Sequence, residues 1–226
     1  MITSAANPRL KLVRRLHSRR QRAKLGLFVC EGEDLVAAAR AAGIEPVDLL
    51  VAGDSVEPEL LAAVSALPHP PRVIGVFRRD DLPPFERRRV GLALWHVVDP
   101  GNVGTLVRTA DAFDAAVELS SGCADPTGPK ALRSSAGAIF RVPIGTFDDH
   151  QGRRVALVAR GGTPLADLEL DDETVFVLGA ERSGLPAEVA AACEATASIP
   201  VADSAESLNV AVAGALALYE WSRRRG

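Results

Sequence analysis

Leu92-Ala93-Leu94-Trp95-His96-Val97-Val98 runs straight into Asp99-Pro100-Gly101-Asn102-Val103-Gly104-Thr105-Leu106-Val107-Arg108-Thr109-Ala110. An apolar run, a Pro-Gly turn and then helix-compatible residues describe a strand that hands a loop to the head of a helix. A strand that is apolar without alternation has both faces covered, which points to α/β layering about a parallel sheet. The loop presents unpaired backbone N–H groups and the positive end of a helix dipole. It also carries the Asn102 amide and the Arg108 guanidinium, so it suits phosphate, ribose or a carboxylate.

The rest of the chain repeats this layout. After Asn7-Pro8, a helix-start signal, Leu10, Val13 and Leu16 recur at helical spacing, so residues 8–24 read as one helix with an apolar stripe and a broad cationic face. A strand at 27–30, a helix at 31–42 ended by Gly43, a strand at 47–51, a helix at 58–67 and a strand at 73–77 make a small alternating α/β unit. Pro83-Pro84 and the run Glu86-Arg87-Arg88-Arg89 break the pattern, which makes residues 83–90 a linker between domains 1–82 and 91–226. Beyond it, strands are expected at 92–98, 116–120, 154–160, 174–179 and 197–201. A last Ala- and Gly-rich helix is expected over 207–222, with Ser207 a suitable N-cap.

Charge is distributed unevenly. Residues 1–24 hold eight basic residues (Arg9, Lys11, Arg14, Arg15, Arg19, Arg20, Arg22 and Lys24) and no acidic one, while the remainder holds 18 basic and 29 acidic residues. A basic segment on an acidic body is the electrostatic footprint of a polyanion-binding surface, or a solvated helix face. No apolar run approaches the ~20 residues a bilayer span needs, and no apolar signal core follows the basic N-terminus, so a cytoplasmic protein is expected. Cys30, Cys123 and Cys193 are far apart and odd in number; they fit a reducing compartment and argue against a structural zinc site, and no metal is expected.

Several sequence motifs are missing. No GxGxxG follows the first strand of either half, Gly122–Lys130 has the wrong spacing for a phosphate loop, and HExxH and GxSxG are absent. His17, His69, His96 and His150 sit apart. Three loops remain, each just after an apolar strand: 99–110, then Gly179-Ala180-Glu181-Arg182-Ser183-Gly184-Leu185-Pro186 after Val177-Leu178, then Ile199-Pro200-Val201-Ala202-Asp203-Ser204-Ala205-Glu206-Ser207-Leu208-Asn209-Val210. Ligands of parallel α/β sheets bind beyond the carboxyl ends of strands, where three such loops can converge.

In this order, the three loops resemble the three motifs of the SpoU/TrmH family, RNA ribose 2′-O-methyltransferases of the SPOUT class. The likeness covers roughly residues 90–222, and Lys130-Ala131-Leu132-Arg133-Ser134-Ser135-Ala136-Gly137-Ala138 resembles the stretch between the first two motifs. Asn7-Pro8, the Arg-rich helix and Phe28-Val29-Cys30-Glu31-Gly32 resemble the substrate-binding domain found ahead of many of these enzymes. The resemblance implies an α/β protein whose C-terminal parallel-sheet methyltransferase domain is tied in a trefoil knot and preceded by a small ribosomal-protein-like α/β domain. It implies a homodimer through the C-terminal domain. It implies S-adenosylmethionine held by Leu178, Gly179, Ile199, Pro200 and Leu208, largely through backbone groups. Two departures stand out: Ala180 replaces the usual Asn, and Ser183 the second Gly, of the second motif.

The implied reaction moves a methyl from a sulfonium to a ribose 2′-hydroxyl, a poor nucleophile that needs in-line placement and help in losing its proton. The resemblance assigns that help to Arg108. A guanidinium is a cation with pKa above ~12, so Arg108 either loses its proton in a special pocket or binds the adjacent phosphate and lowers the hydroxyl pKa. Asn102 orients Arg108 or the ribose, Ser207 and Asn209 line the site, and Glu181 positions the first motif or the RNA. Arg9, Lys11, Arg14, Arg15, Arg19, Arg20 and Arg22, with Lys130 and Arg133, are the expected phosphate contacts. Large-subunit ribosomal RNA is the expected substrate. Transfer RNA is the alternative, and a catalytically silent RNA-binding or ribosome-assembly factor on the same fold is the alternative class.

Overall fold

The computed structural model describes residues 1–147, 149 and 152–225; His150 lies outside them. Asn7 caps helix α1 (Pro8–Leu16), its side chain accepting from the Arg9 N–H at 2.9 Å, with Pro8 in the first turn where its missing N–H costs nothing. Leu10, Val13 and Leu16 are buried, as their spacing requires. The expected single helix over 8–24 is two helices. Ser18 is extended, α2 (Arg19–Leu25) starts afresh, and Gly26 ends it at φ +63, a left-handed backbone that favours glycine. The break swings Arg22 inward, where it is buried.

The first unit continues with β1 (Leu27–Glu31), α3 (Glu33–Ala41), β2 (Asp48–Val51), α4 (Pro58–Ala62) and β3 (Val73–Arg78). Its three strands pair antiparallel in the order β1-β3-β2. The second unit holds β4 (Val90–Leu94), α5 (Pro100–Ala112), β5 (Ala116–Leu119), α6 (Pro129–Ser135), β6 (Ile144–Thr146), β7 (Arg153–Leu157), β8 (Thr163–Pro164), β9 (Thr174–Leu178), α7 (Ala187–Ala191), β10 (Ala195–Ser198) and α8 (Val210–Arg223). Its strand order is β6-β5-β4-β9-β7-β10-β8, and every ladder is parallel. The five residues of β4 and the five of β9 are all buried, which is why their sequences do not alternate.

Several expected boundaries move. Val90, placed in the linker, begins β4, and β4 stops at Leu94. The remainder of the 92–98 run, from Trp95 on, is a turn in which His96 takes φ +52 and so cannot extend the strand. The last strand lies at 195–198 rather than 197–201, and α8 starts at Val210, so Asn209 and not Ser207 is its N-cap: the Asn209 Oδ1 accepts from the N–H groups of Ala211 and Val212 at 2.9 and 3.3 Å. Serine and asparagine cap helices about equally well, so the helix start turns on which of them the preceding loop delivers.

The two units share one apolar core. Phe28 and Phe77 of the small sheet stack at 5.8 Å, and Phe140, from the segment after α6, meets Phe77 at 5.8 Å and Phe28 at 6.3 Å. Beside them, Arg22 and Arg79 converge on Asp125 with contacts of 2.8 and 2.9 Å. The Asp125 carboxyl is pushed up by burial but held below the usual carboxylate range by Thr127, Arg79 and Arg22 together. Arg22 is the partner most dependent on this cluster, because without Asp125 its buried charge would be uncompensated, whereas Asp125 keeps Arg79.

Candidate active site

The three loops do converge. They leave the carboxyl ends of β4, β9 and β10, where the strand order turns back on itself between β4 and β9, the usual crevice of an open parallel sheet. A cleft of about 720 Å³ opens there, within the size range of small-molecule sites. Leu178, Gly179, Ile199 and Leu208 line it, with Glu181, Ser207 and Asn209. Pro200 and Asn102 do not.

The second loop is shaped by two glycines. A Cβ on Gly179 would stand 2.2 Å from the Gly184 carbonyl carbon and 2.3 Å from the Leu185 nitrogen. The close approach arises because residues 180–184 fold back as a turn: the Ala180 N–H donates to the Gly184 carbonyl at 3.1 Å, the Gly184 N–H returns the bond at 2.9 Å, and Gly184 sits at φ +67. The turn projects Glu181 toward the first loop.

Glu181 ties the loops together. Its carboxylate accepts from the Asp99 N–H at 3.0 Å, the Val98 N–H at 3.2 Å and the Asn102 Nδ2 at 3.1 Å. Burial pushes this carboxyl up, and the bonds from Asn102 and the backbone outweigh that and hold it below the usual range. The Asn209 Nδ2 in turn donates to the Asn102 Oδ1 at 3.1 Å while Asn209 caps α8. One hydrogen-bonded chain, Glu181–Asn102–Asn209, therefore joins all three loops. Asp99 completes it, capping α5 through the Asn102 N–H at 3.0 Å and meeting the Lys130 ammonium at 2.7 Å. The Lys130 contact holds the Asp99 carboxyl low.

Arg108 stands apart. It lies two turns along α5, exposed, and makes no hydrogen bond or ion pair among the described residues; it does not line the cleft of its own protomer. Of the basic residues expected to meet phosphate, Lys11, Arg14, Arg15, Arg19, Arg20, Lys130 and Arg133 are exposed. Arg22 is withdrawn from that role: it is buried, bonded to Asp125 and to the carbonyls of Leu16 and His17. Arg9 is committed to Asp48 and the Leu49 carbonyl. Spacing alone could not separate these two from their neighbours, since all eight cations share one stretch of chain.

One contributor escaped the sequence reading. Arg160 lines the cleft just past β7 and donates to the carbonyls of Asp203 and Ala205 at 3.3 and 3.0 Å, pinning the third loop. The signal was available: Arg160 follows the carboxyl end of a parallel strand, the same rule that marks the other loops.

A parallel α/β sheet with a half-apolar cleft at its carboxyl edge, fed by three loops and flanked by exposed cations, defines a small-molecule-binding domain beside a polyanion surface. The SpoU rRNA Methylase family model matches residues 89–219 and the MRM3-like substrate binding domain matches residues 7–77. The chain belongs to the SpoU rRNA methylase family. It is 32% identical to an uncharacterized tRNA/rRNA methyltransferase of Synechocystis, over 99% of this chain and 94% of that one. It is 30% identical to the 23S rRNA (guanosine(2553)-2′-O)-methyltransferase of Bacillus subtilis, over 96% of this chain and 97% of that one. The AdoMet-bound rRNA methyltransferase of Sinorhizobium meliloti superposes with a TM-score of 0.88 at 29% identity, covering 99% of this chain and 97% of that one.

Proposed function

We propose that this protein transfers a methyl group from S-adenosylmethionine to a ribose 2′-hydroxyl of large-subunit ribosomal RNA. The observation that carries the reading is the Glu181–Asn102–Asn209 chain, which joins the three family motifs at one cleft. The names of the Bacillus and Sinorhizobium relatives support the substrate and the cofactor.

The residues present fit the cofactor. The cleft pairs apolar walls from Leu178, Ile199 and Leu208 with polar groups from Glu206, Ser207 and Arg160, the mixture that a purine, an amino acid and a sulfonium require. When bound, S-adenosylmethionine supplies an electrophilic methyl on sulfur. The turn at 180–184 forms one wall, and Asn102 and Asn209, fixed by each other, hold the loops in one arrangement. Arg108 offers its unpaired cation to the phosphate beside the target ribose, which stabilises the developing alkoxide.

In this reading residues 1–82 bind RNA, residues 83–89 link the units, and the methyltransferase begins at Val90, the first residue of β4. Lys11, Arg14, Arg15 and Arg20 present an exposed cationic face for phosphates, and Lys130 and Arg133 extend it toward the cleft. The chain is further proposed to be knotted as a trefoil. The support is that residues 199–209 return from β10, two strands out from β9, to α8, which packs on α5, β4 and β9, with Arg160 bonded to the Asp203 and Ala205 carbonyls on the way. We also propose a homodimer: Val98, Val212, Leu216 and Tyr219 are 64%, 48%, 40% and 55% exposed, the last three on one face of α8, where a symmetric partner would cover them. In this pair we assign Arg108 to the partner's cleft, because it does not line the cleft of its own protomer. No helix of the described residues is long and apolar enough to cross a membrane.

The test is incubation with labelled S-adenosylmethionine and unmodified ribosomal or transfer RNA, followed by mapping of the methyl. A ribose methyl at one position of the ribosomal transcript is expected. Label confined to transfer RNA assigns the alternative substrate, and cofactor binding without transfer to either RNA overturns the enzymatic reading.

A further inference from the structure

A second cavity, of about 550 Å³, shares the 180–183 turn with the cofactor cleft, and Trp95, His96 and Pro186 form much of its remaining wall. We propose that it seats one nucleobase of the RNA substrate, stacked against the Trp95–His96 pair with Arg182 on a neighbouring phosphate. This rests on the RNA methyltransferase reading and assigns that enzyme a base-holding subsite.

The wall is aromatic and stiff. The Trp95 and His96 rings lie 4.8 Å apart and within 8° of parallel, and Phe147 meets Trp95 edge-on at 5.1 Å. His96 holds φ +52, a left-handed backbone uncommon for a residue with a side chain. Its N–H is fixed by the Ser120 hydroxyl at 2.9 Å. Gly122 backs the imidazole so closely that a Cβ there would stand 2.7 Å from ring atoms. An unusual backbone kept by surrounding contacts is a feature of ligand sites, and here its product is a rigid aromatic surface. His96 is exposed and Trp95 half-buried. The Trp95 indole N–H has no partner among the described residues, in contrast to Trp221, which is buried and bonded to the Asp171 carbonyl at 3.1 Å.

The charges suit RNA. Arg182 is exposed and unpaired among the described residues. The two carboxylates at this cavity are already engaged, Glu181 by three N–H donors and Asp99 by Lys130 and the Asn102 N–H. An aromatic wall beside a free cation is how proteins hold unstacked bases, through ring stacking and phosphate contact. Because one turn borders both cavities, a base held here is anchored to the same segment that closes the cofactor cleft.

The test uses the full-length protein and an in vitro transcript of the 23S rRNA named for the Bacillus relative. In a Trp221→Phe background Trp95 is the sole fluorescent indole, and the transcript is expected to quench it by at least about twofold. Trp95→Leu is expected to raise the KM for the transcript about tenfold or more, the scale of one lost base stack, with cofactor affinity by calorimetry within about twofold. Trp95→Phe, which keeps a ring, is expected to stay within about threefold of wild type. Saturating RNA without quenching, or wild-type KM and kcat for Trp95→Leu, overturns the subsite while leaving the methyltransferase intact. A wild-type protein that transfers no methyl to any RNA overturns the parent reading and this one with it.

Discussion

Arg22 and Asp125 face each other across the two units of this protein, their side chains each 5% exposed and their charged atoms 2.8 Å apart. Removing Arg22 leaves the buried Asp125 carboxylate with Arg79 and Thr127, so the cost falls short of the ~3–5 kcal/mol of a fully stranded charge. Arg22→Ala is still expected to lower the urea midpoint substantially while leaving the far-UV spectrum native-like in water. A loss below about 1 kcal/mol would show that Arg79 and Thr127 alone satisfy the carboxylate.

The same pair sets an acid limit. The folded Asp125 carboxyl lies below its unfolded value of about 3.9. Its contribution is thus complete above the unfolded value and is lost as pH falls through the folded one. Wild type should lose stability in that acid window more steeply than Asp125→Asn, which has no carboxyl to titrate, and the two curves should run parallel from pH 6 to 8. Denaturation midpoints measured from pH 2.5 to 8 check it.

Arg22 also illustrates why parts of the molecule were hidden in the sequence. The layering, the parallel sheet and the three loops were legible, because uninterrupted apolar runs followed by Gly, Asn and Pro have few other physical solutions. The helix break at Ser18 was not, since the apolar stripe Leu10, Val13, Leu16 ends just before it and nothing local marks the turn. That break decides which cations face solvent and which become structural. Likewise the motif residues Glu181, Asn102 and Asn209 could be named, but their direct bonding to one another is a long-range relation between side chains 79 and 107 residues apart. The Trp95–His96 turn looked like strand because its composition is strand-like. Its left-handed backbone is imposed by Ser120 and Gly122, which lie beyond any local window.

Asn209 has two jobs, capping α8 and holding Asn102. Asn209→Ala should cost about 1–2 kcal/mol, of which the cap accounts for most. Asn209→Ser keeps a capping oxygen and loses the reach to Asn102. It is expected to recover stability and not methyl transfer, a split read by pairing a denaturation curve with kcat. Recovery of both would reduce Asn209 to a cap.

Gly179→Ala places a methyl group where the Gly184 carbonyl carbon already stands, 2.2 Å away. The 180–184 turn must open, so cofactor affinity should fall at least tenfold by calorimetry. The same turn walls the second cavity, so RNA affinity in filter assays should also fall, while the slope of log affinity against log salt, set by the exposed cations of α1 and α2, should stay unchanged. Unchanged cofactor affinity would mean that the turn does not shape the cleft.

Lys11, Arg14, Arg15 and Arg20 are exposed, and none is paired with a carboxylate among the described residues. Replacing Arg14, Arg15 and Arg20 together with Gln removes three contacts, which should flatten the slope of log affinity against log salt by about 2–3. A mutant at Arg22 should leave that slope alone, since Arg22 is buried against Asp125. An identical slope in the triple variant would move the RNA surface elsewhere.

Arg108 offers the sharpest test of the proposed pair. Arg108→Ala is expected to lower kcat by about a hundredfold or more, the scale of removing one transition-state charge contact, with cofactor affinity within about twofold. Gly179→Ala is also expected to be inactive, for want of a cofactor cleft. If Arg108 serves the partner's cleft, mixing the two inactive proteins and letting subunits exchange assembles pairs with one damaged site and one intact site. Activity should return to as much as about a quarter of wild type, because half of the pairs are mixed and each carries one working site. If Arg108 serves its own protomer, every site in the mixture keeps one lesion and no activity returns. Leu216→Glu with Tyr219→Glu, placed on the exposed face of α8, should give monomers by light scattering and abolish both native turnover and rescue.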